Sequence, residues 1–220
     1  MQHGQNDYST SIPMLQALSS SKSVPMVRVP WSEPGIIMKM LDLGVMGIIA
    51  PMINSKYDCE KFVSYCYYPP IGQRSFGPMR AQLVHGSDYF TNANKNILSF
   101  AMIETKEAVE NLDQILSVPG LTGVYIGPAD MSSSYGLPPK FDVREDPVFS
   151  NIKLIAKKAK EYGKIAGIHN GSTAYAKEMI NLGYKFVTIL SDFRVMSSNS
   201  QKIVDEMKDT KNDGKEASTY

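Results

Sequence analysis

The stretch ILSFAMIETKEAVENLDQIL, residues 97–116, contains in one piece the pattern that decides the fold. Its first part, ILSFAMIE, is short and mostly apolar, as in parallel strands that are buried on both faces. In the second part the charged side chains face away from an apolar stripe of Ala108, Val109, Leu112, Ile115 and Leu116. The stretch therefore predicts a buried strand followed by an amphipathic helix.

The same alternation extends in both directions along the chain. Together with 97–104, the apolar runs are 24–29, 45–52, 122–128, 164–169 and 185–190. The helix after the first run is predicted to begin with Ser32 as N-cap and Pro34 in its first turn. A later helix is predicted to have Asp146 as cap and Pro147 at its first position.

Six β-α units in a row leave two architectures, an open doubly wound sheet or a closed (β/α)8 TIM barrel. No GxGxxG follows the first strand, which weakens a dinucleotide-binding interpretation. If the α/β fold is a barrel, two of its strands are missing. The opening MQHGQND would then be the loop just after the second of them.

Length and composition favour one domain that acts on small molecules. We assign residues 1–207 to a single, partial β/α domain and 208–220 to a polar tail that is expected to be disordered. Lys and Arg number 23 against 22 Asp and Glu, which gives no electrostatic footprint for nucleic acid or a membrane surface. Without a span-length apolar stretch or a signal-peptide pattern, a soluble cytoplasmic protein is expected.

Polar residues at the predicted strand ends are the candidates for chemistry, because β/α-barrel active sites lie there. Glu104 and Asp130 end consecutive strands, so their carboxylates can converge. Two carboxylates with positions left open for water suit a hard cation such as Mg²⁺ or Mn²⁺. The alternative is that each acid caps the helix that follows it.

Arg28 is flanked by valines in VPMVRVP, and an arginine in an apolar strand needs a partner. Either it forms a structural ion pair, or it is a fixed cation near a substrate oxygen. IGPADMSSS supplies a turn into a predicted helix N-terminus, whose free N–H groups favour a carboxylate. His169 also ends a strand, although a lone histidine is more often a hydrogen-bonded structural residue. Arg74, in the long connection between residues 68 and 95, is expected to anchor that loop.

The segments VRVPW, LDLGVMGIIAPM, YYPPIGQRSFGP, MIET and GVYIGPADMS, with AGI and FVTILSD near the end, resemble the HpcH/HpaI aldolases. These are class II pyruvate-dependent aldolases of the phosphoenolpyruvate/pyruvate barrel superfamily. The similarity runs from His3 to about Met196, and the GPAD and YPPxGxRxxG segments are fairly specific. It implies a barrel of that type without its first two strands.

The resemblance also implies an activity, the cleavage of a 4-hydroxy-2-oxo acid to pyruvate, or an analogue, and an aldehyde through an enolate. Glu104 and Asp130 would hold a divalent cation, Mg²⁺, Mn²⁺ or Co²⁺, as a Lewis acid. Arg28 would contact the keto or enolate oxygen. The substrate carboxylate would be held by the backbone of Gly127, Pro128 and Ala129.

Two further residues match catalytic positions of that family. His3 matches the histidine of a D-x-x-H loop, whose aspartate would fall before Met1. Asp42 matches an acid that family homo-oligomers contribute across a subunit interface, and the two would move the proton of the 4-hydroxyl. The chain departs from the family at Met102, where glutamine is frequent, and at Tyr67, where arginine is frequent.

Two alternatives to an aldolase stay open. One is a non-catalytic barrel remnant, whose exposed sheet edges would favour pairing with another chain. The other is a lyase of the same superfamily that acts on an acyl-CoA such as citryl-CoA. The short GxR loop and the IET and GPAD segments favour the free 2-oxo acid aldolases.

Overall fold

Six parallel strands form one curled sheet in the computed structural model, which describes residues 1–209. They are β1 Met26–Arg28, β2 Gly47–Ala50, β3 Leu98–Ile103, β4 Gly123–Ile126, β5 Ile165–Asn170 and β6 Phe186–Ile189. Each lies within its predicted apolar run, except that β5 extends one residue further, to Asn170. The prediction of six β-α units is confirmed.

The strand order across the sheet is the order along the chain, β1 to β6, and every pairing is parallel. A doubly wound sheet reverses its strand order at a switch point, so that alternative is wrong. Consecutive order is the arrangement of a barrel wall. Among residues 1–209, β1 and β6 do not pair, so these strands form an open, curled wall.

Helices connect consecutive strands on the outer side of the sheet, with one further helix before β1 and one after β6. They are α1 Tyr8–Leu18, α2 Pro34–Asp42, α3 Lys56–Cys66, α4 Met79–His85, α5 Tyr89–Asn96, α6 Lys106–Glu110, α7 Leu112–Leu116, α8 Pro128–Ser134, α9 Val148–Glu161, α10 Thr173–Asn181 and α11 Asp192–Asp209. The predicted helix after β3 is divided at Asn111 into α6 and α7. The long connection after Tyr68 contains α4 and α5 and is not an irregular loop throughout.

Two predicted helix caps are wrong by one residue. The N-cap of α2 is Glu33, not Ser32, because a proline holds the residue before it extended and Pro34 is the first helical residue. The N-cap of α9 is Pro147, and Asp146 lies just outside the helix. The Asp146 carboxylate still accepts a hydrogen bond from a backbone N–H in the first turn of α9.

The two faces of the sheet have different neighbours. Outward side chains pack against the helices in the main core, among them Val29, Ile48, Ala101, Val124 and Ile168. Inward side chains form a smaller cluster of Ile49, Phe100, Met102 and Tyr125. Because side chains alternate along a strand, the inward positions at the carboxyl ends of the strands are Arg28, Glu104, Gly127, His169 and Thr188. We call this end of the inner face the mouth.

The last helix, α11, runs to Asp209, two residues into the predicted polar tail. Residues 210–220, most of the predicted polar tail, lie outside the described residues. Among residues 1–209, no helix combines the length and the apolar character that crossing a membrane requires.

Candidate active site

Glu104 is the most buried acidic residue of the mouth, with 1% of its surface exposed. Its Oε1 accepts a hydrogen bond of 2.8 Å from the backbone N–H of Met52, at the end of β2. Its Oε2 is buried and has no hydrogen-bond partner among the described residues. The cap of α6 is Thr105, whose hydroxyl accepts from the N–H of Ala108, so Glu104 is not a helix cap.

The burial of Glu104 has an electrostatic consequence. The pKa of this carboxyl is raised to about 7, mainly by burial, and the nearby Asp130 carboxylate acts in the same direction. The Met52 N–H and the positive charge of Arg28 act in the opposite direction. A buried carboxylate with one free oxygen is costly by itself and is stabilised when a cation approaches.

Gly127, the N-cap of α8, makes room for this carboxylate. A Cβ on Gly127 would lie 2.6 Å from Oε2 of Glu104 and 3.2 Å from the terminal methyl of Met102. Glycine is required at position 127 for its small size and not for its backbone conformation, since residues of other types also adopt its φ of −101°. The absence of a side chain at position 127 therefore lets Glu104 lie against the start of α8.

Asp130 lies in the first turn of α8 and is exposed. Its side chain makes no hydrogen bond with the described residues, and its charge acts on Glu104. The structure thus brings the two predicted metal ligands together. No group of three or more His, Cys, Asp or Glu side chains suited to a metal occurs in residues 1–209. A cation here would take its remaining ligands from water or substrate.

Arg28 ends β1 on the inner face and is half-buried. The structural ion pair considered for it is not formed with any residue in the described range. Burial is the main influence on the pKa of Glu104, Tyr125 and His169, and the positive charge of Arg28 lowers the pKa of all three. An unpaired guanidinium among these groups is available to an anionic oxygen.

Met52 contributes a feature that the sequence did not indicate. Its φ is 56°, in the left-handed region that residues other than glycine rarely adopt. This conformation accompanies the hydrogen bond from its N–H to Glu104. Strained backbone of this kind is frequent where a site fixes a functional group.

A second polar group lines the mouth on β4, β5 and β6. The Oγ1 of Thr188 lies 2.5 Å from the hydroxyl of Tyr125 and 2.8 Å from Nδ1 of His169. His169 is hydrogen-bonded, as expected for a lone histidine, yet it is on the inner face. Sequence reasoning missed Tyr125 and Thr188, because an aromatic residue and a threonine in apolar strands give no chemical signal.

Asp42 and His3 are not brought together within this chain. Asp42 lies at the end of α2, 2.7 Å from Nη2 of Arg74, and burial raises its pKa although Arg74 lowers it. Arg74 is 1% exposed and stacks on the ring of Tyr68, which confirms its predicted role as a loop anchor. His3 is exposed and forms no hydrogen bond or ion pair with residues 1–209. Met1 and Arg28 line one cavity of about 180 Å³, and His3 follows Met1 by two residues.

A curled parallel wall whose charged groups gather where its strands end belongs to the class of β/α-barrel proteins with a strand-end site. The family model of the HpcH/HpaI aldolase/citrate lyases matches residues 1–197. The chain belongs to this family, as the sequence motifs implied.

Individual relatives agree with this assignment. A hydroxypyruvate/pyruvate aldolase from Rhizorhabdus wittichii is 40% identical over 204 residues, which are 93% of this chain and 81% of the relative. A 5-keto-4-deoxy-D-glucarate aldolase from Escherichia coli is 35% identical over 209 residues, with coverages of 94% and 81%. A solved HpcH/HpaI aldolase/citrate lyase family protein from Burkholderia cenocepacia has a TM-score of 0.84 at 27% identity, over 92% of this chain and 81% of that protein. The homologues support a lyase of the aldolase type.

Proposed function

We propose that the protein is a divalent-metal-dependent aldolase that cleaves a 4-hydroxy-2-oxo acid to pyruvate, or a close analogue, and an aldehyde. The observation that supports this most directly is the buried carboxylate of Glu104, with a free oxygen beside Asp130 and near an unpaired Arg28. The relatives named as aldolases of 2-oxo acids support the same chemistry.

Glu104 and Asp130 would hold the cation. The unpartnered Oε2 of Glu104 fits this role, because a buried carboxylate oxygen without a donor is satisfied by a metal ion. Oxygen ligands with room for water suit Mg²⁺, Mn²⁺ or Co²⁺. When bound, the cation supplies Lewis acidity toward the 2-oxo acid.

The other residues of the mouth would bind and orient the substrate. Arg28 would place its guanidinium at the keto oxygen, where negative charge develops as the carbon–carbon bond breaks. The substrate carboxylate would lie at the start of α8, against the backbone of Gly127, Pro128 and Ala129. Pro128 has no N–H, so the donor there would be the N–H of Ala129.

We further propose that a second copy of the chain completes the site. Asp42 lies beside an exposed apolar patch of Phe76, Met79 and Phe90, which are 66%, 82% and 48% exposed. A Cβ on Gly77, next to Phe76, would lie 3.8 Å from Oδ2 of Asp42. Exposed patches of this kind are typical of subunit interfaces. Asp42 would act in the partner's site and, with His3, move the proton of the 4-hydroxyl.

A mixture of two inactive variants tests this shared site. Asp42→Asn and Glu104→Gln should each abolish turnover alone, because each removes one part of every site. When the two variants are co-expressed and purified together, about a quarter of the wild-type turnover should return, since some sites then combine intact residues of both chains. No recovery in a mixed oligomer would place Asp42 and Glu104 of one site in the same chain.

Aldol cleavage itself is the direct test of the proposed function. The 220-residue chain should release pyruvate from a 4-hydroxy-2-oxo acid with Mg²⁺ or Mn²⁺ present, measured by coupling to lactate dehydrogenase. A chelator should stop the release, and added metal should restore it. A chain extended upstream by its reading frame serves as a parallel sample. If neither the 220-residue chain nor the extended chain releases pyruvate, the non-catalytic remnant is favoured. If either cleaves citryl-CoA alone, the acyl-CoA lyase is favoured.

A further inference from the structure

The inner face of β4, β5 and β6 carries a series of hydrogen bonds that has no role in the proposed aldol reaction. It joins the hydroxyl of Tyr125, the hydroxyl of Thr188 and Nδ1 of His169. His169 and Thr188 are direct partners in the register of β5 and β6, so the sheet itself holds them side by side. Only Nε2 of His169 remains without a hydrogen bond to the described residues.

This series of hydrogen bonds determines which ring nitrogen of His169 bears the proton. Tyr125 is buried, and Thr188 is the one hydrogen-bond partner of its hydroxyl among residues 1–209. We infer that the phenol donates to Thr188, because its proton has no other acceptor in that range. The threonine hydroxyl is then the donor in its 2.8 Å contact with Nδ1 of His169. The proton of the neutral ring is therefore on Nε2, which becomes a donor at the mouth.

The surroundings of His169 keep its ring neutral and fixed. Burial lowers the pKa of His169, and Arg28 and Arg194 lower it further against the opposing charge of Asp142. Phe141 packs edge-on against the imidazole, with ring centroids 5.0 Å apart and an angle of 80° between planes. A ring held by Thr188 on one side and Phe141 on another is a preorganised donor and not a mobile surface group.

We propose that the Nε2–H of His169 binds a hydroxyl oxygen of the substrate, on a carbon next to a reacting carbonyl, and thereby selects hydroxylated substrates. This inference rests on the proposed function. The charged groups Arg28, Glu104 and Asp130 suit the oxo-acid end, whereas a neutral donor suits a neutral oxygen. The hydroxyl can belong to the 2-oxo acid or to the aldehyde, and the two sources are separated by experiment.

Aldol addition with four substrate pairs tests the selection. Pyruvate or hydroxypyruvate is combined with acetaldehyde or glycolaldehyde, and kcat/KM is measured for wild type and His169→Leu. The variant should lower the preference for the hydroxylated partner by about 10- to 100-fold. The partner whose preference falls, oxo acid or aldehyde, identifies the source of the hydroxyl. A uniform loss with all four pairs would overturn the proposal, as would an unchanged preference.

Further variants separate hydrogen bonding from packing. Thr188→Val should weaken the same preference, because the donor to Nδ1 is lost while the shape of the side chain is kept. Thr188→Ser and His169→Gln should retain much of the preference, because each keeps a donor. His85→Leu is the matched control, since His85 bonds the Gly44 carbonyl at the opposite end of the sheet.

A measurement that needs no turnover keeps the two proposals distinguishable. The chain has three histidines, so the ring nitrogens of His169 can be followed by ¹⁵N NMR. Nε2 should be the protonated nitrogen, and its resonance should shift with hydroxypyruvate or glycolaldehyde but not with pyruvate or acetaldehyde. Such a shift in a protein without aldol turnover would refute the proposed reaction alone. A protonated Nδ1, or no shift with either hydroxylated compound, would refute the role of His169.

Discussion

Glu104→Gln should abolish metal-dependent turnover, with a loss of at least about 10³-fold, because a neutral amide cannot replace a carboxylate ligand of a divalent cation. The amide keeps the size of the side chain and can still accept the hydrogen bond from Met52. Glu107→Gln is the matched control, because Glu107 is exposed on α6 three residues further along. Retained turnover in Glu104→Gln would remove Glu104 from the metal site.

The same variant should have a stability profile that the wild type lacks. The pKa of Glu104 is raised from 4.5 to about 7, so between these pH values the folded protein binds more protons than the unfolded chain. The metal-free wild type should therefore lose stability as pH rises through this window, by on the order of 3 kcal/mol. Glu104→Gln should show no such loss, and above pH 7 it should unfold at higher denaturant concentration than the wild type.

Added metal should then act differently on the two proteins. Mg²⁺ or Mn²⁺ should raise the melting temperature of the wild type above pH 7, because the cation favours the ionised carboxylate. Glu104→Gln should not respond. Asp130→Asn should also lose turnover, and its window of stability loss should end at a lower pH than in the wild type, because the Asp130 charge raises the pKa of Glu104. Equal metal responses in all three proteins would contradict the ligand assignment.

The strands were predictable because a parallel sheet buried on both faces requires continuous apolar runs. Helix α1 was not predicted, since Ser11 and Leu15 are its buried residues and Pro13 lies inside it. Helices α4 and α5 were not predicted for a related reason, because each buries few of its side chains. Pattern reasoning detects elements that turn a broad apolar face to the core and overlooks those that do not.

The residues of the candidate site also differ in whether the local sequence predicts them. Glu104 and Arg28 were predictable because the position of a residue at a strand end depends on local sequence alone. The Tyr125–Thr188–His169 chain depends on the register between separate strands, and the Asp42–Arg74 contact joins residues 32 positions apart. The left-handed conformation of Met52 has no local signature either. Such features follow from tertiary packing, which a single sequence does not display.

Arg28→Ala should lower kcat by about 10²- to 10³-fold with a smaller change in KM, because the guanidinium is proposed to act on charge that develops during bond cleavage. Arg28→Lys should recover part of the rate, since it keeps the charge but not the planar pair of donors. Arg144→Ala is the control, because Arg144 forms an exposed ion pair with Glu178, and such pairs contribute little.

The electrostatic role of Arg28 provides a second readout of this variant. Its positive charge lowers the pKa of Glu104, so its removal should raise that pKa beyond about 7. The pH window in which the metal-free protein loses stability should then extend to higher pH in Arg28→Ala, while Arg144→Ala should reproduce the wild-type profile. An unchanged kcat with a shifted window would reduce Arg28 to an electrostatic neighbour of Glu104. A lower kcat together with the shifted window is the result expected of a cation that acts on both the substrate and its carboxylate ligand.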